Sequence, residues 1–229
     1  MAEIYHVISR GVDKRKIFLD DQDRFRFIHD LFEFNDQKLV KTTFYAFFKI
    51  KKQFIDMMGK KEKERDPRKL LVNILVFCLM DNHYHLLLEP LIENGVFKFM
   101  KKLNMGYSRY FNIRHERQGT LFEGRYKRVL VKNEAHFIHL PYYIHFNPLD
   151  FKFYSWRERK IKNYKKAIKF LESYRWSSHL DYLGVKNLPS VTQREFLYDF
   201  FGGSKSYKNK IKEWLRSIDL DAIKDISLE

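Results

Sequence analysis

Two histidines one residue apart, His83 and His85, stand in the stretch LMDNHYHLLLEP at Leu79–Pro90. A run of this composition reads as a buried strand. Side chains two apart on a strand leave the same face, so His83 and His85 point together while Tyr84, Leu86 and Leu88 point the other way. Paired imidazoles can bind one metal ion through a nitrogen each. The plainer role is two part-buried histidines satisfied by neighbouring hydrogen bonds. Further on, YYIHFNP places Tyr143 and Asn147 four apart, on one face of a helix. A phenol oxygen can act as a nucleophile and form a covalent intermediate, and an amide oxygen is a hard-metal ligand. Two imidazoles, an amide and a phenol suit attack on a phosphodiester: the metal polarises the phosphate, the tyrosine keeps the 5′ end and a 3′-OH leaves. Taken alone, Tyr143 is one of 14 tyrosines and reads equally as core, and Asn147 as a helix-terminal residue before Pro148.

Positioning these groups needs a sheet and a helix laid across it. Ile4–Arg10 reads as a first strand ended by Gly11, and Asp20–Phe34 as a helix with Phe25, Phe27, Ile28, Leu31 and Phe32 on its apolar face. Thr42–Met58 fits a strand or a helix, and Lys60–Lys69 an exposed loop. Leu70–Met80 has the apolar run of a strand buried on both faces. Asp81–Asn82 supplies a turn into the histidine strand. Asn94–His115 is a helix by the spacing of Phe97, Met100, Leu103, Tyr107, Tyr110 and Phe111. Gln118–Gly124 is a loop and Arg125–Val131 a short strand. Asn133 caps a helix running to about Asn147, with Pro141 expected to kink it. Strand, helix, strand, strand, helix, strand is the split β-α-β order. The expected class is therefore α+β: a ferredoxin-like antiparallel sheet, an added helix carrying Tyr143 over the histidine face, and a helical C-terminal extension. Residues 1–150 would form the catalytic domain and 151–229 a basic, mainly helical extension.

The 229 residues carry 44 Lys and Arg against 29 Asp and Glu, a net charge of +15. Such an excess favours a polyanionic partner, nucleic acid first. No long apolar segment could span a bilayer, and the N-terminus lacks a signal-peptide pattern. The single cysteine, Cys78, excludes an intramolecular disulfide framework and suits a reducing cytosol. A cytoplasmic, nucleoid-associated protein of bacterial type is the expectation.

The segments MDNHYHLLLEP, YSRYFNIRHERQGTLFEGRYKR and YYIHFNP, in this order, resemble the REP-associated tyrosine transposases, single-tyrosine members of the HUH endonucleases. YHVISRGVDKRKIF and YRWSSHLDYLG also fit, so the resemblance covers roughly Tyr5 to Gly184. It implies metal-binding roles for His83 and His85, a nucleophilic role for Tyr143 and a third metal-binding side chain at Asn147. It implies Mg²⁺ or Mn²⁺, cleavage of single-stranded DNA through a 5′-phosphotyrosine, and recognition of an imperfect palindromic hairpin with its flanking tetranucleotide. The chain departs from the family pattern at Asp81, where proline is common, at Val12, where asparagine is common, at Pro141, and at Lys49–Lys69, which looks like an insertion.

Cations flank these motifs. Arg125, Lys127 and Arg128 are the nearest candidates for DNA phosphates, with an edge strand protected by charge as the plainer alternative. In Lys152–Lys169, Arg157 and Lys160 are interleaved with aromatic residues that could stack on unpaired bases or pack on the domain. Tyr107 and Tyr110 are rival nucleophiles whose spacing favours core packing. His115, His136, His139 and His145 receive no role. Residues 187–229 read as two helices joined by a Gly-Gly turn. Two other functions compete: a non-catalytic binder of structured nucleic acid, and a different phosphate-processing enzyme such as a zinc hydrolase. The partner would be single-stranded or hairpin DNA, engaged by a monomer or a homodimer.

Overall fold

The computed structural model describes residues 3–38, 67–217, 220–224 and 226–227. The expectations for 42–58, and for 49–69 and 60–69 up to residue 66, lie outside the described residues. Four strands form one sheet: β1 (Tyr5–Arg10), β2 (Val72–Leu79), β3 (His83–Pro90) and β4 (Lys127–Leu130). Their order is β2-β3-β1-β4, every pair antiparallel. The fold is α+β, a four-stranded antiparallel sheet with flanking helices consistent with the ferredoxin-like arrangement.

Strand parity divides the molecule into two cores. Val7, Tyr84, Leu86 and Leu88 face α1 (Asp21–Glu33) and α2 (Gly95–Arg114). Ile4 and Leu87 face the opposite core, which contains Leu140 and Tyr143 of α3 (Glu134–Phe146). The split follows from the period of two along a pleated strand. The same second core takes in Ala167 and Leu171 of α4 (Tyr164–Ser173), Tyr182 of the short α5 (His179–Tyr182) and Leu197 of α6 (Glu195–Phe200). It also holds Tyr207, Ile211 and Leu215 of α7 (Gly203–Ser217), and Ile223 and Ile226 beyond it. The C-terminal helices thus complete the layer that holds Tyr143. The Gly-Gly turn between α6 and α7 uses positive φ at Gly202 (74°) and Gly203 (79°), a region glycine enters without a Cβ penalty.

Two expected core positions lie at the surface. Phe97 is 53% exposed and Phe99 is buried instead, on a stripe of α2 that runs through Val96, Phe99, Leu103, Tyr107 and Phe111. Phe25 is 45% exposed and meets Trp176 edge-on at 5.0 Å. Helix α3 starts at the expected cap, with Asn133 Oδ1 accepting from the His136 N–H at 2.8 Å. It continues through Pro141 as one element.

The β3 entry is firmly anchored. Asp81, the departure from proline, takes Lys16 at 2.9 Å and Arg24 at 2.7 Å. Its carbonyl accepts from Ile17 and Phe18. Gly11 donates to the Asn82 carbonyl at 2.8 Å, and a Cβ at Gly11 would lie 2.3 Å from the Arg15 carbonyl oxygen. Only glycine lets β1 end so close to this turn.

Candidate active site

His83 and His85 lie on β3, with Arg10 across from His83 and Ile8 across from His85 on β1. Both are buried, at 8% and 0% exposure, with ring centroids 5.0 Å apart at 77°. The neighbouring strand adds a third imidazole that sequence reasoning missed. His6 stacks on His85 at 5.2 Å and 12°, and His6 Nε2 is 2.9 Å from His85 Nδ1. Strand parity in IYHVISR, combined with the expected strand order, holds the signal: Ile4, His6, Ile8 and Arg10 share the face that receives His85.

Tyr143 comes from the helix laid over that face. Its ring meets His85 edge-on at 6.1 Å and 89°, and the residue is 1% exposed. The adjacent Tyr142 turns away into a stack with Tyr207 at 5.1 Å and Trp214 at 4.7 Å, where burial raises its phenol pKa. The rival tyrosines lie across the sheet in the other core. Tyr107 donates to the Ile17 carbonyl at 2.6 Å, and burial pushes its pKa up. Tyr110 donates to Asp23 at 3.2 Å, with a pKa pushed up to about 12 by burial first and by the Asp23 charge second.

Arg157 ties the tyrosine to the asparagine. Nη1 donates to Tyr143 Oη at 3.1 Å, and Nη2 to Asn147 Oδ1 at 2.8 Å and Asp150 Oδ2 at 2.6 Å. Its guanidinium carbon lies 5.2 Å from the Tyr143 ring centroid and 4.7 Å from that of Trp156. Asp150 also accepts from Trp156 Nε1 at 2.5 Å. Asn147 Nδ2 in turn donates to the Tyr143 carbonyl at 3.0 Å. Arg157, read from sequence as a DNA contact, thus sits on the phenol oxygen itself. Asp150, which orients it, was missed. It falls one turn after Asn147, in the 3₁₀ segment Asn147–Phe151.

The other cations separate. Lys127 pairs with Ile8, which pairs with His85, so Lys127 shares the histidine face one strand beyond β1. Arg125 and Lys127 line a small cleft with Ile8, Ser9, Arg10 and Glu123. Arg128 points to the opposite face, its guanidinium carbon 5.2 Å from the Tyr5 ring centroid. The expected trio therefore does not form one patch, because neighbouring residues on a strand face opposite ways. Lys160 pairs with Glu158 at the surface, 2.9 Å away.

The remaining histidines sit elsewhere. His115 contacts Asp23 at 3.0 Å and His139 meets Trp214 edge-on at 4.8 Å. His145 Nδ1 lies 2.7 Å from Tyr207 Oη and its Nε2 2.8 Å from Ser178 Oγ. His179 Nδ1 is 3.0 Å from the same Tyr207 oxygen. Burial first, and His179 second, hold the pKa of His145 well below the ordinary value. Burial holds that of His179 at about 3.

The donor set bears on a metal. His83 Nδ1 lies 2.6 Å from Asn82 Oδ1, and His85 Nδ1 faces His6. With Nδ1 engaged in both rings, Nε2 is the nitrogen through which each would take a divalent ion. Asn147 Oδ1 is held by Arg157. Among the described residues, no group of three or more His, Cys, Asp or Glu side chains could hold a metal ion. No helix among them is long and apolar enough to cross a membrane.

Comparison with known proteins finds a family model and a solved structure that resemble the chain. The model of the IS200-like transposases matches residues 39–147, which include His83, His85, Tyr143 and Asn147. One solved structure, described as a REP-associated tyrosine transposase bound to a REP hairpin, is similar at 11% identity and a TM-score of 0.42, over 82% of this chain and 84% of that one. No curated protein matches the chain.

Proposed function

For a chain homologous to the IS200-like transposases over residues 39–147, we propose a metal-dependent endonuclease and strand transferase acting on single-stranded DNA at a hairpin. Cleavage would pass through a 5′-phosphotyrosine at Tyr143. The observation that carries this reading is the meeting of Tyr143 and His85 at 6.1 Å, from elements far apart in sequence, inside the matched segment.

Tyr143 Oη attacks the scissile phosphorus and gives its proton to water as the O–P bond forms. The bond from phosphorus to the 3′ oxygen breaks, and that oxygen takes up a proton to leave as a free 3′-OH. Arg157, 3.1 Å from the phenol oxygen, favours the developing phenolate and keeps the oxygen aimed. A guanidinium at this place also matches a phosphate, which it can bind through two N–H groups at once. His83 and His85 would hold Mg²⁺ or Mn²⁺, which when bound supplies Lewis-acid polarisation of a phosphate oxygen. Asn147 would join them once Arg157 turns from Asn147 Oδ1 toward the phosphate. Arg125 and Lys127, with Arg10, would carry the backbone phosphates on either side of the cut. Arg128 and Lys160 would contact DNA further out.

The test is incubation of the full chain with labelled hairpin pools and Mn²⁺, followed by denaturing electrophoresis. A covalent protein–DNA band that disappears in Tyr143→Phe, while hairpin binding persists, is the expected result. Salt-sensitive hairpin binding without cleavage under any divalent metal would replace this reading by a non-catalytic binder.

A further inference from the structure

Each histidine of the β3 pair is held by a partner to which the reaction above gives no task. Asn82 Nδ2 donates to the Lys14 carbonyl at 3.2 Å. That fixes the amide so that Oδ1 faces His83 Nδ1. An amide oxygen only accepts, so the His83 proton resides on Nδ1 and the ring lone pair falls on Nε2. His85 reaches the same state by a longer route. His6 Nδ1 bonds the Ile226 carbonyl, again an acceptor only. A neutral His6 therefore carries its proton on Nδ1 and accepts at Nε2. The donor there is His85 Nδ1, at 2.9 Å, which leaves the His85 lone pair on Nε2 as well. Both rings of the relay, His6 and His85, are fully buried.

We propose that His6 and Asn82 are positioning residues that lock His85 and His83 into the same Nδ1–H tautomer, so that both offer Nε2 to one divalent cation. The proposal rests on the metal-site reading of His83 and His85. It adds that the C-terminal turn takes part in the site: a carbonyl at residue 226 sets a proton on β1, which sets the proton on β3. A metal-ligating histidine has its tautomer and ring orientation fixed by the hydrogen bond at its other nitrogen. Here two unrelated devices reach one outcome, a side-chain amide for one ring and an imidazole relay for the other.

The direct test is long-range ¹H–¹⁵N correlation on the metal-free full chain with ¹⁵N-labelled histidine, which distinguishes the tautomers ring by ring. The expected result is Nδ1–H at His6, His83 and His85. His6→Leu should leave His85 mixed and Asn82→Ala should leave His83 mixed. Each should weaken Mn²⁺ binding, measured by titration, by about 10–100-fold. His6→Gln and Asn82→Asp keep an acceptor at the same place and should restore most of the affinity, which separates loss of the acceptor from damage to the core. Two results would overturn the proposal: a His85 proton on Nε2 in the unaltered chain, or unchanged tautomers and Mn²⁺ affinity in both His6→Leu and Asn82→Ala. The spectra need neither DNA nor cleavage. A chain with both tautomers as expected but no covalent adduct would defeat the nicking reaction and leave this relay standing.

Discussion

Two groups of histidines sit on the same side of the sheet, and their surroundings differ in kind. On β1 and β3, His83 Nδ1 meets Asn82, His85 Nδ1 meets His6 Nε2 and His6 Nδ1 meets the Ile226 carbonyl, and Tyr143 meets His85 edge-on. Behind α3, His145 has both ring nitrogens committed, to Tyr207 and Ser178, and His179 shares the same phenol. On the proposed reading the first arrangement would align ring tautomers toward a common ligand, whereas the second pins α7 to α3. Burial and residue type do not tell them apart, since members of both groups are 0% exposed. What distinguishes them is the kind of partner: an amide oxygen and a second imidazole at the β3 rings, and the hydroxyl oxygens of Tyr207 and Ser178 behind α3.

That contrast can be broken at several points. The largest effect belongs to the nucleophile: Tyr143→Phe should lower covalent adduct by at least about 10⁴-fold, the scale for removing a residue that forms the bond. Gel-shift affinity for the hairpin should hardly move. Next, His85→Ala should cut the nicking rate by roughly 10³-fold, several kcal/mol of lost Lewis-acid stabilisation, and excess Mn²⁺ should restore part of it. Nicking time courses at rising Mn²⁺ would show this, and an unchanged rate would assign the pair a packing role. Arg157→Ala should cost about 10²-fold in the single-turnover rate, the usual loss for one preorganised donor at a developing anion. Arg157→Lys should recover little, because a point charge cannot span Tyr143, Asn147 and Asp150 together.

The closed cluster should answer to pH instead of metal. The folded pKa of His145 and His179 lies below that of the unfolded chain. Above about pH 6.5 both states are neutral at these rings and they add no pH dependence. As pH falls below that value the unfolded chain takes up protons that the folded one refuses. Stability then declines by about 1.4 kcal/mol per pH unit for each ring, and for His179 this continues toward pH 3. Denaturant melts between pH 7.5 and 4.5 should show the slope, and a Tyr143→Phe chain should show it equally. The smallest effect is expected at Tyr207→Phe, which removes the oxygen between the two rings and should cost about 1–3 kcal/mol without loss of Mn²⁺ affinity.

Much of this was legible in the sequence, for reasons that also mark where legibility ends. Period-two alternation in HYHLLLEP fixes which side chains share a face, and the order of strands and helices implies the ferredoxin-like sheet. The pairing of Tyr143 with the histidines follows once α3 is laid on that face. The place of Arg157 beside the phenol was not legible because its segment, rich in cations, reads as a solvated strip, and only the three-dimensional fold brings Asp150 and Trp156 around it. Arg128 was grouped with Lys127 by closeness in sequence, although the pleat sends them to opposite faces. Phe97 was misread because the spacing of the later apolar residues of α2 is compatible with either Phe97 or Phe99 at the edge of the stripe, and the fold buries Phe99 with Val96. His6 was passed over because its partner lies 79 residues away in sequence, so its signal emerges only when strand parity is combined with the strand order.

The most direct measurement is the site of the adduct. The full chain should be trapped with a labelled hairpin substrate and Mn²⁺, digested and mapped by mass spectrometry. The account predicts the nucleotide on Tyr143 through its 5′ phosphate, with a free 3′-OH on the released strand. A nucleotide on Tyr107, Tyr110 or any other side chain, or cleavage that leaves the protein unmodified, would contradict it.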